Sequence, residues 1–187
     1  SLQVGDRVFT HIDTMRRDNI SGHHTAVHLL YCALRDEFGE KINGYSSYAS
    51  EREFCLDFFY HSIPSEKQIY SLEERVNAYI MADYPVLTFM TSGKNAEEIC
   101  SLKPFNCHDR RVTTKNENMC SHYASRITHH DSHLNPGRKV RICRIGNISC
   151  EVCEGTHCIH TGDIGMFKIT SLSDKSDGFF RLTGQKK

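Results

Sequence analysis

The sequence predicts an α+β fold, a mainly antiparallel sheet packed against helices near residues 20–38 and 65–82. Three observations carry that reading. Apolar residues recur at helical spacing in two stretches, short β-prone runs separated by glycine or polar turns fill the last third of the chain, and no repeat or heptad appears. At 187 residues the chain suits a single domain with a sizeable core.

The elements follow in order. Residues 4–13 alternate loosely and read as a strand. Ser21 is a plausible cap for a helix that runs through Leu29, Leu30, Ala33 and Leu34 to Gly39, a good terminating residue. Residues 42–48 and 53–60 are short and β-prone and suggest a hairpin-like pair. Ser65 and Gln68 form a capping-box pattern, and Ile69, Leu72, Val76 and Ile80 then recur at helical spacing, with Pro85 closing the helix. A strand around 86–90 and a short helix over 95–102 come next. Regularity fails over residues 103–137, which read as a divergent Cys/His-rich insertion or long loop. Strands are expected at 140–145, 148–152, 164–171 and 179–182.

Composition narrows the function. Lysine plus arginine and aspartate plus glutamate both number 23, which excludes a globally basic protein that coats nucleic acid. No apolar run approaches the roughly 18 residues of a membrane span, and the first residues lack a secretory pattern, so the expected compartment is the cytoplasm. Charge is segregated: residues 101–150 carry 9 positive and 3 negative side chains, among them Arg110, Arg111, Arg138, Lys139, Arg141 and Arg144, a stretch able to meet a polyanion. Nine cysteines, an odd number, in a chain of this size argue for reduced thiols over a disulfide framework. Twelve histidines, seven of them crowded with seven of the nine cysteines into residues 100–160, point to metal binding.

Spacing selects the ligands. His24 and His28 stand one helical turn apart, so both rings project from one face and can reach one ion. Such a pair also arises in cores and on surfaces. A zinc peptidase is a poor reading, because Thr25 stands where that motif needs a glutamate. Far downstream, Cys153 and His157 flank a turn whose Gly155 permits tight backbone geometry. Cys107, His108, Cys120 and His122 are candidates for a second zinc.

These residues sit in motifs that resemble the editing domain of alanyl-tRNA synthetase and its free-standing relatives, the AlaX trans-editing proteins. Arg16-Arg17 precede His24-Thr25-Ala26-Val27-His28-Leu29-Leu30, and Glu151-Val152-Cys153-Glu154-Gly155-Thr156-His157 is followed by Thr161-Gly162-Asp163-Ile164-Gly165. The related threonyl-tRNA synthetase editing domain has Gly-Pro-His after its cysteine, so Gly155-Thr156-His157 favours the alanyl branch. The chain departs from the family at Glu154, Gly44 and Ser46.

The resemblance implies the alanyl/threonyl-tRNA synthetase editing-domain fold over residues 1–187, cut from a longer synthetase. It implies an aminoacyl-tRNA deacylase that removes serine or glycine from mischarged tRNA(Ala), a second sieve where an alanine pocket cannot reject them. A free-standing deacylase and a non-catalytic zinc-stapled module that binds tRNA are the alternatives. It further implies Zn²⁺ held by His24, His28, Cys153 and His157 as the catalytic centre, with Thr25 a candidate for contact with substrate. The expected partners are the acceptor end of tRNA(Ala), met by Arg16, Arg17, Arg141 and Arg144, and the remaining domains of the synthetase. Ser46 and Ser47 are candidate pocket residues, and Asp57 is expected to be structural.

Overall fold

The computed structural model describes residues 3–39, 42–100 and 138–187. Candidate ligands Cys107, His108, Cys120 and His122 lie outside the described residues.

Helix α1 spans Thr14–Phe38 and starts a full two turns earlier than Ser21. Asp13 is its cap, accepting from the Arg16 N–H, and the early turns are exposed and polar, so no apolar period marks them. Ser21 is instead an interior, buried residue. Gly39 ends the helix with φ +79°, and its N–H bonds to the Arg35 carbonyl. Residues 4–13 form no strand: alternation needs a neighbouring strand to pair with, and here Val4 and Phe9 lie fully in solvent.

Strands β1 (Asn43–Ala49) and β2 (Phe54–Phe59) form the expected antiparallel pair. Helix α2 (Glu66–Met81) carries the expected capping box between Ser65 and Gln68. It stops ahead of Pro85 through Asp83, whose φ of +51° turns the chain and whose N–H bonds back to Ile80. Then come β3 (Val86–Ser92), α3 (Gly93–Ile99), β4 (Lys139–Ile145) and β5 (Ser149–Val152). The strand expected at 164–171 is replaced by a 3-10 turn at Thr161–Ile164 and β6 (Phe167–Asp174), before β7 (Phe179–Lys186). Bonds to the end of α2 impose the turn: the Thr161 hydroxyl donates to the Tyr79 carbonyl and accepts from the Tyr84 N–H. Ile164, read as the head of a strand, is buried by the turn instead.

Two antiparallel sheets result, one ordered β1-β2-β7-β6 and the other β3-β4-β5, so the α+β expectation is met. Phe54, Leu56 and Phe58 alternate inward from β2 onto Leu29, Leu30 and Leu34 of α1 and Leu72, Val76 and Ile80 of α2. Each such side chain contributes on the order of 1.5–3 kcal/mol by leaving water. On the opposite face of β2, Asp57 receives the Arg181 guanidinium at 2.6 and 2.7 Å and the Ser46 hydroxyl at 2.8 Å. Asp57 is therefore structural, as expected, and it occupies the hydroxyl of Ser46.

The small sheet is covered on both faces. Cys143, Ile145 and Cys153 join the main core, whereas Val140, Ile142 and Cys150 pack with Ala96 and Cys100 around α3. At its far end Ser92 pairs with Lys139, and the Gly93 N–H bonds to the Arg138 carbonyl at 2.9 Å.

Candidate metal centre

Helix α1 and the turn after β5 bring four side chains to one point. The ligand-capable atoms of His24, His28, Cys153 and His157 all lie within 4.8 Å of one another. The Cys153 Sγ lies 3.4 Å from His24 Nε2 and 3.4 Å from His157 Nε2. The rings of His24 and His157 stack with centroids 4.4 Å apart. His28 and Cys153 are buried, while His24 and His157 are half-buried and line the open side. Among the described residues this is the one cluster of three or more such groups.

What surrounds the rings decides which nitrogen faces inward. His28 Nδ1 lies 2.6 Å from the Glu151 carboxylate, which accepts its proton. His24 Nδ1 donates to the Thr156 carbonyl at 3.2 Å. Thr25 donates its one proton to the Ser21 carbonyl at 2.8 Å, so His157 Nδ1, 3.3 Å from the same hydroxyl, is the donor in that contact. All three imidazoles thus present the Nε2 lone pair to the sulfur. His28 Nε2 is buried with no hydrogen-bond partner, an orphan that an ion at the centre would satisfy. The group fits Zn²⁺, which favours imidazole and thiolate ligands in tetrahedral arrangement.

Electrostatics agree. Burial raises the Cys153 thiol, but His157, His24 and His28 outweigh it and hold the group to about 2, so it is a thiolate. Burial lowers His157 to about 4, keeping it a neutral ligand. Burial also opposes charge on His28, yet the Glu151 carboxylate prevails and holds it well above its ordinary value, so a metal ion would have to displace the Nε2 proton before this ring could ligate.

The turn is shaped around the histidines. Gly155 is required by proximity and not by a left-handed φ: a Cβ there would stand 1.9 Å from His24 Cε1. Arg141 Nη1 donates to the carbonyls of Cys153 at 3.1 Å and Gly155 at 2.6 Å. Arg141, expected at tRNA phosphates, therefore latches the ligand turn. Thr25 is wholly buried and its hydroxyl also accepts from the Cys158 N–H, so it positions His157 and is not open to substrate. Arg16, Arg17 and Arg144 are exposed. Arg144 also donates to the Gly146 carbonyl.

Two residues beside the cluster escaped the sequence reading. Glu151 lies two positions before Cys153 along an extended segment, and that spacing, which puts both on one side, is the signal that could have found it. His23, buried next to His24 in the chain, bridges the Ser50 carbonyl and the Lys186 N–H. Nothing in the His-His pair distinguishes it.

A helix-borne histidine pair closed by a cysteine-histidine turn from a neighbouring sheet defines a class. Residues 140–183 match the family model described as threonyl and alanyl tRNA synthetase second additional domain. The similarity runs to the alanyl side along nearly the whole chain. Alanine–tRNA ligase of Idiomarina loihiensis is 30% identical over 183 residues, 97% of this chain and 18% of that protein. The Petrotoga mobilis enzyme of the same name is 31% identical over 182 residues, again 97% of this chain and 18% of the relative. That of Bdellovibrio bacteriovorus is 31% identical over 182 residues, or 17% of its length. The chain therefore spans under a fifth of these relatives. No helix of the described residues is long and apolar enough to cross a membrane.

Proposed function

We propose that the chain is the editing domain of an alanine–tRNA ligase, a cytoplasmic aminoacyl-tRNA deacylase that hydrolyses the ester joining serine or glycine to tRNA(Ala) and spares alanyl-tRNA(Ala). One observation carries this reading: three inward Nε2 atoms and one thiolate converge within 4.8 Å, each imidazole fixed from behind by an oxygen. Zinc held by His24, His28, Cys153 and His157 would supply Lewis acidity toward the ester.

The chain's own residues prepare that centre. Glu151 and Thr25 set the tautomers of His28 and His157. Gly155 leaves room for the His24 ring and Arg141 latches the turn that delivers Cys153 and His157. The half-buried rings of His24 and His157 define the side from which an ester would approach. Exposed Arg16, Arg17 and Arg144 are the proposed phosphate contacts. The rest of a synthetase would add the remaining grip on tRNA, consistent with a net charge of zero here.

Four protein ligands would also suit a closed structural site, which favours a second reading in which zinc staples helix to sheet. Deacylation of seryl- and alanyl-tRNA(Ala) by the zinc-loaded chain, beside a His24→Ala, Cys153→Ala double variant, separates the two. Rapid loss of the seryl ester alone, with an inert double variant, supports editing. Both esters intact at high concentration of fully loaded chain would leave the staple.

A further inference from the structure

On the face of β5 away from the metal centre, a second pair of soft atoms comes together. Cys100, the residue that closes α3, and Cys150, in the middle of β5, place their sulfurs 2.6 Å apart. Ordinary nonbonded contact between heavy atoms begins at about 3.5–4.0 Å, and a disulfide bond is about 2.0 Å long. Both residues are buried, each 8% exposed, in the small cluster with Ala96, Val140 and Ile142. No third ligand-capable group joins them among the described residues, so the pair is not a metal site of the kind at His28. Burial, then the bond to Cys150, pushes the Cys100 thiol up, which keeps it protonated at rest.

We propose that Cys100 and Cys150 are a redox modification site, a dithiol that a low-molecular-weight disulfide such as oxidised glutathione converts into a cross-link between α3 and β5. One thiol loses its proton to solvent, attacks glutathione disulfide as the thiolate and expels one glutathione thiolate. The other loses its proton to solvent, attacks the mixed disulfide and expels the second. The protein gives up two electrons and two protons, and the oxidant becomes two reduced glutathione molecules. The bond ties down the strand that carries Glu151 on its opposite face and leads into Cys153. It does not depend on the ion the cluster takes.

The test is equilibration of the intact chain in a series of glutathione redox buffers, quenching with an alkylating agent, and digestion with trypsin and a glutamate-specific protease. That digestion isolates Cys150 as the one cysteine of residues 145–151. The expected result is this peptide joined to Cys100 by mass and fragmentation. The oxidised chain should melt about 5–10 °C higher, since the bond closes a long loop of the unfolded chain. Dithiothreitol should reverse both changes, Cys100→Ser and Cys150→Ser should abolish the link, and Cys55→Ser should retain it. Glutathione adducts elsewhere with no link between Cys100 and Cys150, or a link that forms only after the chain is unfolded, would overturn the proposal. A linked chain that melts no higher than the reduced one would also overturn it.

Discussion

The helix pair and the turn pair of the metal centre are held by different kinds of structure. His24 and His28 owe their convergence to α1 itself, since one helical turn stacks them on one face with ring centroids 5.1 Å apart. Cys153 and His157 have no such scaffold. Their turn keeps its shape through the Arg141 latch on two carbonyls and through the missing side chain at Gly155. Regular secondary structure supplies direction at no local cost, whereas an irregular turn needs a partner for each carbonyl it exposes. The turn half of the centre should therefore be the more fragile.

Gly155→Ala tests that difference most severely. Its methyl group would lie 1.9 Å from one His24 atom and 2.2 Å from the next, so the ring must leave. Zinc affinity, measured by competition with a chelator, should drop on the order of 100-fold or more. Glu151→Ala attacks the helix pair from behind by leaving the His28 Nδ1–H buried without an acceptor. A loss of about 30-fold is expected, with Glu151→Gln between it and the parent chain. An Ala variant that binds zinc normally would show that α1 alone fixes His28. Arg141→Ala should cost about tenfold in affinity, the worth of a charge-assisted hydrogen bond. Unchanged zinc binding combined with weakened tRNA binding would return Arg141 to the phosphate role.

The smallest effect concerns His23, next to the helix pair. Burial lowers its pKa below the ordinary 6.5. Its Nδ1–H donates to Ser50 while its Nε2 accepts from Lys186, so only the neutral ring satisfies both. A folded pKa below the unfolded one means that this contribution is complete above pH 6.5 and is lost as pH falls through the folded value. Between about pH 7 and pH 5 the melting temperature should fall about 2–4 °C further in the parent chain than in His23→Gln, which keeps a donor and an acceptor without titrating.

What was legible in the sequence divides along the same line. His24 and His28 announce themselves by helical spacing, α2 by its capping box and apolar period, and β2 by a short β-prone run over 53–60. The start of α1 was hidden because its first turns are polar and exposed, leaving only the cap at Asp13 to mark it. Alternation over residues 4–13 misled because pairing, not pattern, makes a strand. The 3-10 turn at Thr161–Ile164 was illegible for the opposite reason, since hydrogen bonds to Tyr79 and Tyr84, far away in sequence, override local preference. Arg141 and Gly155 could be seen as residues but not as parts of the centre. Their roles are distances between segments, which no local window contains.

The meeting of Ser92 with Lys139 at the end of the small sheet has a consequence for how such a chain changes length. The backbone departs and returns across a paired position, so the ladder of β3 and β4 is complete whatever lies between. For a flexible excursion, each doubling of its length raises the closure entropy by only about 0.6 kcal/mol. The number of residues inserted there is nearly a free variable of the architecture. Insertions placed after α3 should pass with little penalty, whereas trimming into α3 would strip Ala96 and Cys100 from the small sheet, and a one-residue slip of β5 against β4 would turn Glu151 away from His28.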